Sequence, residues 1–437
     1  MGIIVPFNAD GNWRSSYRYA LYEHRLVTED GLAYSRSFIV IKNKYDVIIR
    51  FTRLHNFTGA YDNKVYRPLA SDAKARMHYI CLMLNYLLID HYDIYQVDHV
   101  FKITKEMLTS FFMDYALEKK TDGTYRGSQS IEKCVYSVAL FFSKLIYKYG
   151  SHVALKRDEL YVEKHIYSRK GIRIKKKVPD FQIRGVPEKR EIFRDIPTKV
   201  FQILINLAVR YAPEITLAIG MEAFGGLRPG EVCNVRQENS PKGAGILFTY
   251  VDSRLIRAEI DLTHEYAMRS DAVICGSIKK ERKQGIYPPF LEAFQTLYGY
   301  HMDYLKLHPY EEAFCPMFVN NKGLAMTYSD YYNRFQELID VRLRPLLLEH
   351  SDPECRIYGQ LLCENKLGPH ALRHWFSVQL ALRGEDVAQL QFWRGDKNPE
   401  SAFDYLQNKG DLVRELAKTN ELLASFLMEE GKDADIR

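Results

Sequence analysis

Hydrophobic and polar positions change period several times along the chain, and the changes mark out its parts. Near the N-terminus, FIVIKNKYDVIIRF (38–51) sets two β-branched runs about a polar Lys42–Asn43–Lys44 centre, which predicts a hairpin within a β-containing segment, residues 1–68. From 71 to 150 the period is helical, and DAKARMHYICLMLNYLLIDH is strongly apolar. In TKEMLTSFFMDYALEKK, Met107, Leu108, Phe111, Phe112 and Tyr115 form one stripe behind Thr104, a residue suited to the N-cap. A third helix carries Ile131, Val135, Val138, Phe142, Leu145, Ile146 and Tyr149 and stops at Gly150. Together these predict a helical domain over 69–163.

Composition then shifts. Within 164–190, Lys164, Arg169, Lys170, Arg173, Lys175, Lys176, Lys177, Arg184, Lys189 and Arg190 stand against only Asp180 and Glu188. With two prolines and two glycines, residues 164–191 read as a basic linker rather than a helix. A second domain, 192–437, opens with two helical segments, PTKVFQILINLAVRYAP and EITLAIGMEAFGGL. Strand-like runs follow in ILFTYV (246–251), RLIRAEIDL (254–262) and AVICGSI (272–278), and helices resume around 289–306 and 329–349 and continue to the end. The expected class is mainly α with a small antiparallel β-sheet.

Bulk composition adds bounds. A chain of 437 residues with 46% hydrophobic and 27% charged residues is globular and too long for a single core. A formal charge of +6 is a mild pointer to an anionic partner. The seven cysteines are scattered with no CxxC pair, which supports neither a disulfide scaffold nor a zinc ribbon and reads as reduced thiols in a cytoplasmic protein. No secretory leader and no stretch of membrane-spanning length is recognised, so no membrane partner is expected.

The most unusual segment is GPHALRHWFSVQL (368–380), where His370, Arg373 and His374 fall on one helical face. Two histidines at i and i+4 match a zinc spacing, but Ala371 replaces the glutamate of that motif and Arg373 would repel a dication. No metal or other cofactor is expected. A packing role suits His374 beside Trp375 and Phe376; Arg373 keeps its charge and calls for an anion. Imidazole and guanidinium together present donors to a tetrahedral phosphate. Three more stretches fit that chemistry. GGLRPGEV (225–232) holds Arg228, with Glu231 placed to brace it; ICGSIKKERKQGIYPPF (274–290) reads as a hairpin with Lys279 and Lys280 at its first strand end; WRGDKNPESAFDYLQ (393–407) carries Tyr405.

The order Gly-Leu-Arg-x-Gly-Glu, a hairpin lysine, His-x-Leu-Arg-His and a tyrosine ten residues after a glycine resembles the catalytic domain of the tyrosine recombinase (phage integrase) family over about residues 192–410. The helical 71–150 segment resembles that family's core-binding, DNA-binding domain, whereas residues 1–68 are outside the likeness and are either an accessory DNA-contacting module or an edge cover. The resemblance implies a site-specific DNA recombinase that breaks and rejoins strands through a 3′-phosphotyrosyl link, with double-stranded DNA as partner and a cytoplasmic, nucleoid-associated location. Arg228 and Arg373 would clamp the scissile phosphate, and His370 would serve as hydrogen-bond donor and acid–base partner. Lys280, eight residues before Pro288, would protonate the leaving 5′ oxygen, with Lys279 as fallback, and Tyr405 would be the nucleophile. The two domains would hold the duplex from opposite sides, joined by the basic strap, whose lysines displace phosphate counterions.

One position departs from the family. Where a histidine or tryptophan usually donates to the phosphate, this chain has Asp396, an acceptor when ionised. Either it turns away, or Trp393, Arg394 or Lys397 takes the role. Past Tyr405, Leu412, Leu416, Leu422, Leu423, Phe426 and Leu427 form a helical stripe. By resemblance that stripe would dock on a neighbouring subunit of a homo-tetramer; packing on its own domain is the other reading. Two rival functions stay open: a type IB topoisomerase-like enzyme, and a catalytically weakened or inactive DNA-binding relative.

Overall fold

Two large core clusters and a small third one organise the computed structural model, which describes residues 16–59, 71–119, 123, 125–167, 173–183, 196–271, 273–310 and 312–395. The chain divides into two units, Met1–Leu26 with Tyr34–Glu191, and Val27–Ala33 with Ile192–Arg437. Helices dominate, and the described strands form three small sheets, which matches the expected class. Among the described residues no helix is long and apolar enough to cross a membrane.

The first unit begins with strands β1 (Tyr17–Val27), β2 (Ala33–Asn43) and β3 (Ile48–Phe51) in the order β1-β2-β3. The β2–β3 hairpin turns where it was expected, because the Asn43 side chain accepts from the amides of Tyr45 and Val47, both at 3.0 Å, while Asp46 takes a left-handed φ of 62°. Helices α1 (Ser71–Asn85), α2 (Tyr92–Tyr95), α3 (Lys105–Leu117), α4 (Ser128–Tyr149) and α5 (Arg157–Leu160) follow. The predicted stripes face inward: Leu108, Phe111, Phe112 and Tyr115 of α3 are buried with Ile131, Val135, Val138, Phe142 and Leu145 of α4. Ile39 of β2 shares that core, so the sheet read as a separate segment packs with the helices. Thr104 stands at the N-cap of α3, but its hydroxyl makes no capping bond to the helix.

The basic stretch read as a linker is partly a hairpin. Strands β4 (Tyr161–Tyr167) and β5 (Arg173–Pro179) pair antiparallel from Tyr161↔Pro179 to Tyr167↔Arg173. The ladder satisfies backbone groups that an open linker leaves to water, and Glu163 sits 3.9 and 4.0 Å from Lys175 and Lys177, offsetting repulsion on that face.

In the second unit, α6 (Thr198–Tyr211) and α7 (Pro213–Gly225) lead to the short α8 (Pro229–Val232). Strands β6 (Ile246–Val251) and β7 (Arg254–Leu262) match the expected bounds and form a sheet with β8 (Arg282–Gly285), in the order β6-β7-β8. Then come α9 (Leu291–Leu307), α10 (Tyr328–Leu338), a π-helical turn at Ile339–Leu343, α11 (Arg344–Leu348), α12 (Pro353–Glu364), α13 (His370–Leu382) and α14 (Val387–Arg394). Almost all of α7 is buried, and α6, α9 and α13 pack around it.

Two sequence expectations fail here. Residues 273–281 form no strand, and 274–290 is not a self-contained hairpin; β8 instead pairs with β7, Leu262 opposite Arg282. The polar groups of 275–278 are engaged elsewhere: the Cys275 carbonyl accepts from the Tyr328 amide at 2.6 Å, and the Ile278 amide donates to Glu265. Backbone also passes so close to backbone at Gly276 and Gly230 that a Cβ on Gly276 would overlap the Gly230 carbonyl.

Candidate active site

The turn between α7 and α8 carries the first arginine. Gly226, in the left-handed region at φ 63°, ends α7 by donating its amide to the Glu222 carbonyl at 3.1 Å. A Cβ there would meet the Phe376 ring at 2.5 Å, so only glycine fits. The chain then runs through buried Leu227 to Arg228, whose extended backbone precedes Pro229 in the first turn of α8. Glu231 folds back, accepting from the Arg228 amide and from its guanidinium, both at 3.0 Å. The brace read from the spacing is present.

Glu231 is fully buried and carries a second guanidinium. Arg282 donates NH1 to Oε1 at 3.1 Å and NH2 to Oε2 at 2.9 Å, a parallel fork. Burial alone pushes the Glu231 carboxyl up, but the Arg282 hydrogen bonds and the charges of Arg282 and Arg228 outweigh it and hold the group at about 2. Arg282 also reaches the Lys280 carbonyl with NH1 at 2.9 Å and Gln284 Oε1 with Nε at 2.6 Å. Lys280 is thus half-buried on a bend, tied by its backbone to the same network as Arg228; Lys279 beside it is exposed.

The second arginine arrives on α13. Arg373 is 1% exposed, donating NH1 to the Gly226 carbonyl and NH2 to the Arg394 carbonyl at 2.8 Å. The helix is seated by Trp375, stacked on Phe201 with centroids 4.0 Å apart, and by Phe376 against Gly226. His370, one turn before Arg373, is exposed at the head of α13, and His374 is half-buried. The end of α14 closes the arrangement: the Trp393 carbonyl accepts from Gln284 Nε2 at 2.6 Å, and Gly395 lies against the Arg282 guanidinium. Arg228, the Lys280 carbonyl and Arg373 are therefore tied into one hydrogen-bonded frame. Asp396, Lys397, Tyr405 and the apolar stripe beyond lie outside the described residues.

Sequence reading missed Arg282, Gln284 and Glu222. Arg282 sits in a Lys-Lys-Glu-Arg-Lys run that looks solvated, and no local signal reports its burial. Glu222 sits in an apolar run, and that was the available signal. Both its oxygens are buried away from solvent beside the equally buried Tyr331 hydroxyl. Burial raises the Glu222 carboxyl well above its ordinary range, against the opposing pull of Tyr331 and Arg373. Among the described residues no group of three or more His, Cys, Asp or Glu gathers as a metal would require. In the first unit, the β4–β5 hairpin exposes Lys164, His165, Arg173, Lys175, Lys176 and Lys177.

No family model and no curated protein matches the chain. Solved structures do. A Tn1549 transposon integrase fragment in complex with transposon right end DNA shares 17% identity over 81% of this chain and 93% of its own, with a TM-score of 0.48. The XerH site-specific recombinase bound to its difH substrate shares 14% over 76% of each chain, with a TM-score of 0.46. A lambda integrase dimer bound to a core site shares 13% over 75% of this chain and 88% of its own, with a TM-score of 0.43. These neighbours are tyrosine recombinases and integrases.

Proposed function

We propose that the chain is a site-specific recombinase that cleaves and rejoins double-stranded DNA through a covalent 3′-phosphotyrosyl intermediate. The observation that carries the reading is the convergence of Arg228 and Arg373, distant in sequence, on the single turn Gly226–Glu231. Two guanidiniums held there suit the non-bridging oxygens of one phosphodiester, where they offset the charge that grows in the transition state.

In this mechanism the Tyr405 oxygen attacks phosphorus and its proton passes to His370. The bond from phosphorus to the 5′ oxygen breaks as Lys280 protonates the departing alcohol. Phosphodiester energy is kept in the tyrosyl ester, so a 5′-hydroxyl reseals the strand without a high-energy cofactor. Assembly of four copies on DNA through the C-terminal stripe belongs to the same proposal.

The test is trapping on a duplex nicked near the cleavage site. The parent is expected to form an adduct that survives denaturation and maps to Tyr405, and Tyr405→Phe to form none; an adduct unchanged in that variant overturns the assignment. Asp396, a carboxylate where a phosphate donor is usual, favours a second reading: a relative that binds DNA without cleaving it. Tight binding with no adduct would select that reading, and relaxation of any supercoiled plasmid would select the topoisomerase.

A further inference from the structure

Arg282 has a buried charge that is already answered. Its side chain is 9% exposed, and both terminal nitrogens are forked onto the fully buried Glu231. Because a carboxylate already neutralises that charge, Arg282 is assigned no contact of its own with substrate phosphate. What remains is its grip on backbone and neighbour: NH1 to the Lys280 carbonyl at 2.9 Å and Nε to Gln284 Oε1 at 2.6 Å. Four of the five N–H donors of a guanidinium are thereby committed.

The two contacts point in opposite directions along the chain. Arg282 is also the first ladder residue of β8, opposite Leu262, so its own backbone is fixed to the sheet. From that point it curls back to a carbonyl two residues earlier, on a bend that has no ladder of its own. On the other side Gln284 Nε2 holds the Trp393 carbonyl at 2.6 Å, just before the segment that leads to Tyr405. Because Glu231 also braces Arg228, one side chain links the lysine bend, the first arginine and the end of α14.

We propose that Arg282 is a positioning residue that holds the Lys280 bend so that the lysine ammonium is presented to the departing 5′ oxygen. This rests on the proposed recombinase reading. A lysine side chain spans four rotatable bonds, so a bend free to shift by an ångström would scatter the ammonium and weaken proton transfer, which is commonly worth about 10²–10⁴ in rate.

The experiment uses the full-length protein and two nicked duplexes, one natural and one with sulfur replacing the bridging 5′ oxygen at the cleaved linkage. A thiolate, with a pKa of about 8.5 for its acid, leaves without being protonated, so the sulfur duplex bypasses the general acid. Arg282→Ala is expected to lose about 10²-fold or more in adduct formation on the natural duplex, with unchanged DNA affinity, and to return to within about tenfold of the parent on the sulfur duplex. Lys280→Ala should show the same split, whereas Arg228→Ala should stay slow on both. Arg282→Lys, which keeps a charge against Glu231, is the milder variant if the alanine form unfolds, and the same ordering is expected. Equal slowing of the Arg282 variants on both duplexes, or none on the natural one, overturns the inference. Absence of any adduct from the parent overturns the proposed function and this inference with it.

Discussion

The Arg373 guanidinium donates to the Arg394 carbonyl at 2.8 Å, tying the middle of α13 to the last residue of α14. The same guanidinium bonds the Gly226 carbonyl, so one buried charge joins the α7–α8 turn to the start of the tail. Arg373→Lys keeps the charge but loses the fork. Its adduct formation on the nicked duplex is expected to fall about 10²–10³-fold, with smaller loss of DNA affinity, read by single-turnover cleavage beside a binding titration.

Glu231 predicts an acid-dependent stability. Its folded pKa of about 2 lies below the ordinary 4.5, so its contribution is present above pH 4.5 and drains away as pH falls through about 2. Glu231→Gln leaves the half-buried Arg228 and the nine-tenths buried Arg282 guanidiniums without their anion and should cost about 3–5 kcal/mol at pH 7 in urea unfolding. The gap from the parent should narrow as pH drops below 4.5.

Glu222 predicts the opposite sign. Its folded pKa is raised by burial, so full stability holds below pH 4.5 and is lost as pH rises toward the folded value. Glu222→Gln removes that penalty. Its melting temperature relative to the parent should rise from pH 5 to pH 8, and a constant difference between the two pH values would contradict the assignment.

On the β4–β5 hairpin, Lys175, Lys176 and Lys177 are exposed cations. If they meet phosphates, the triple alanine variant should bind DNA more weakly and with a shallower dependence on salt. The log–log slope should shrink by about 0.9 for each phosphate no longer neutralised, measured by titration at several salt concentrations.

How much of this was legible beforehand differs by residue. The Arg228–Glu231 brace was readable because a carboxylate three residues along meets its partner within one turn. The Arg282–Glu231 fork was not, because its members are 51 residues apart and nothing near Arg282 distinguishes it from its solvated neighbours. The lysine bend was misjudged for a related reason: strand-like composition in 272–278 says nothing of the contacts to Glu265 and Tyr328 that occupy its backbone.

By itself, then, the order of residues determined the helical stripes of α3 and α4, the strands β6 and β7, and the brace between Arg228 and Glu231. Those features depend on neighbours within a turn or on alternation along a strand, which the local pattern carries. Tertiary structure alone decided that β8 joins β7, that Arg282 forks onto Glu231, that Glu222 is buried, and that Arg373 is pegged to Gly226 and Arg394. A buried charge takes its partner from whichever segment packing brings alongside, and that choice exists only once the core has formed.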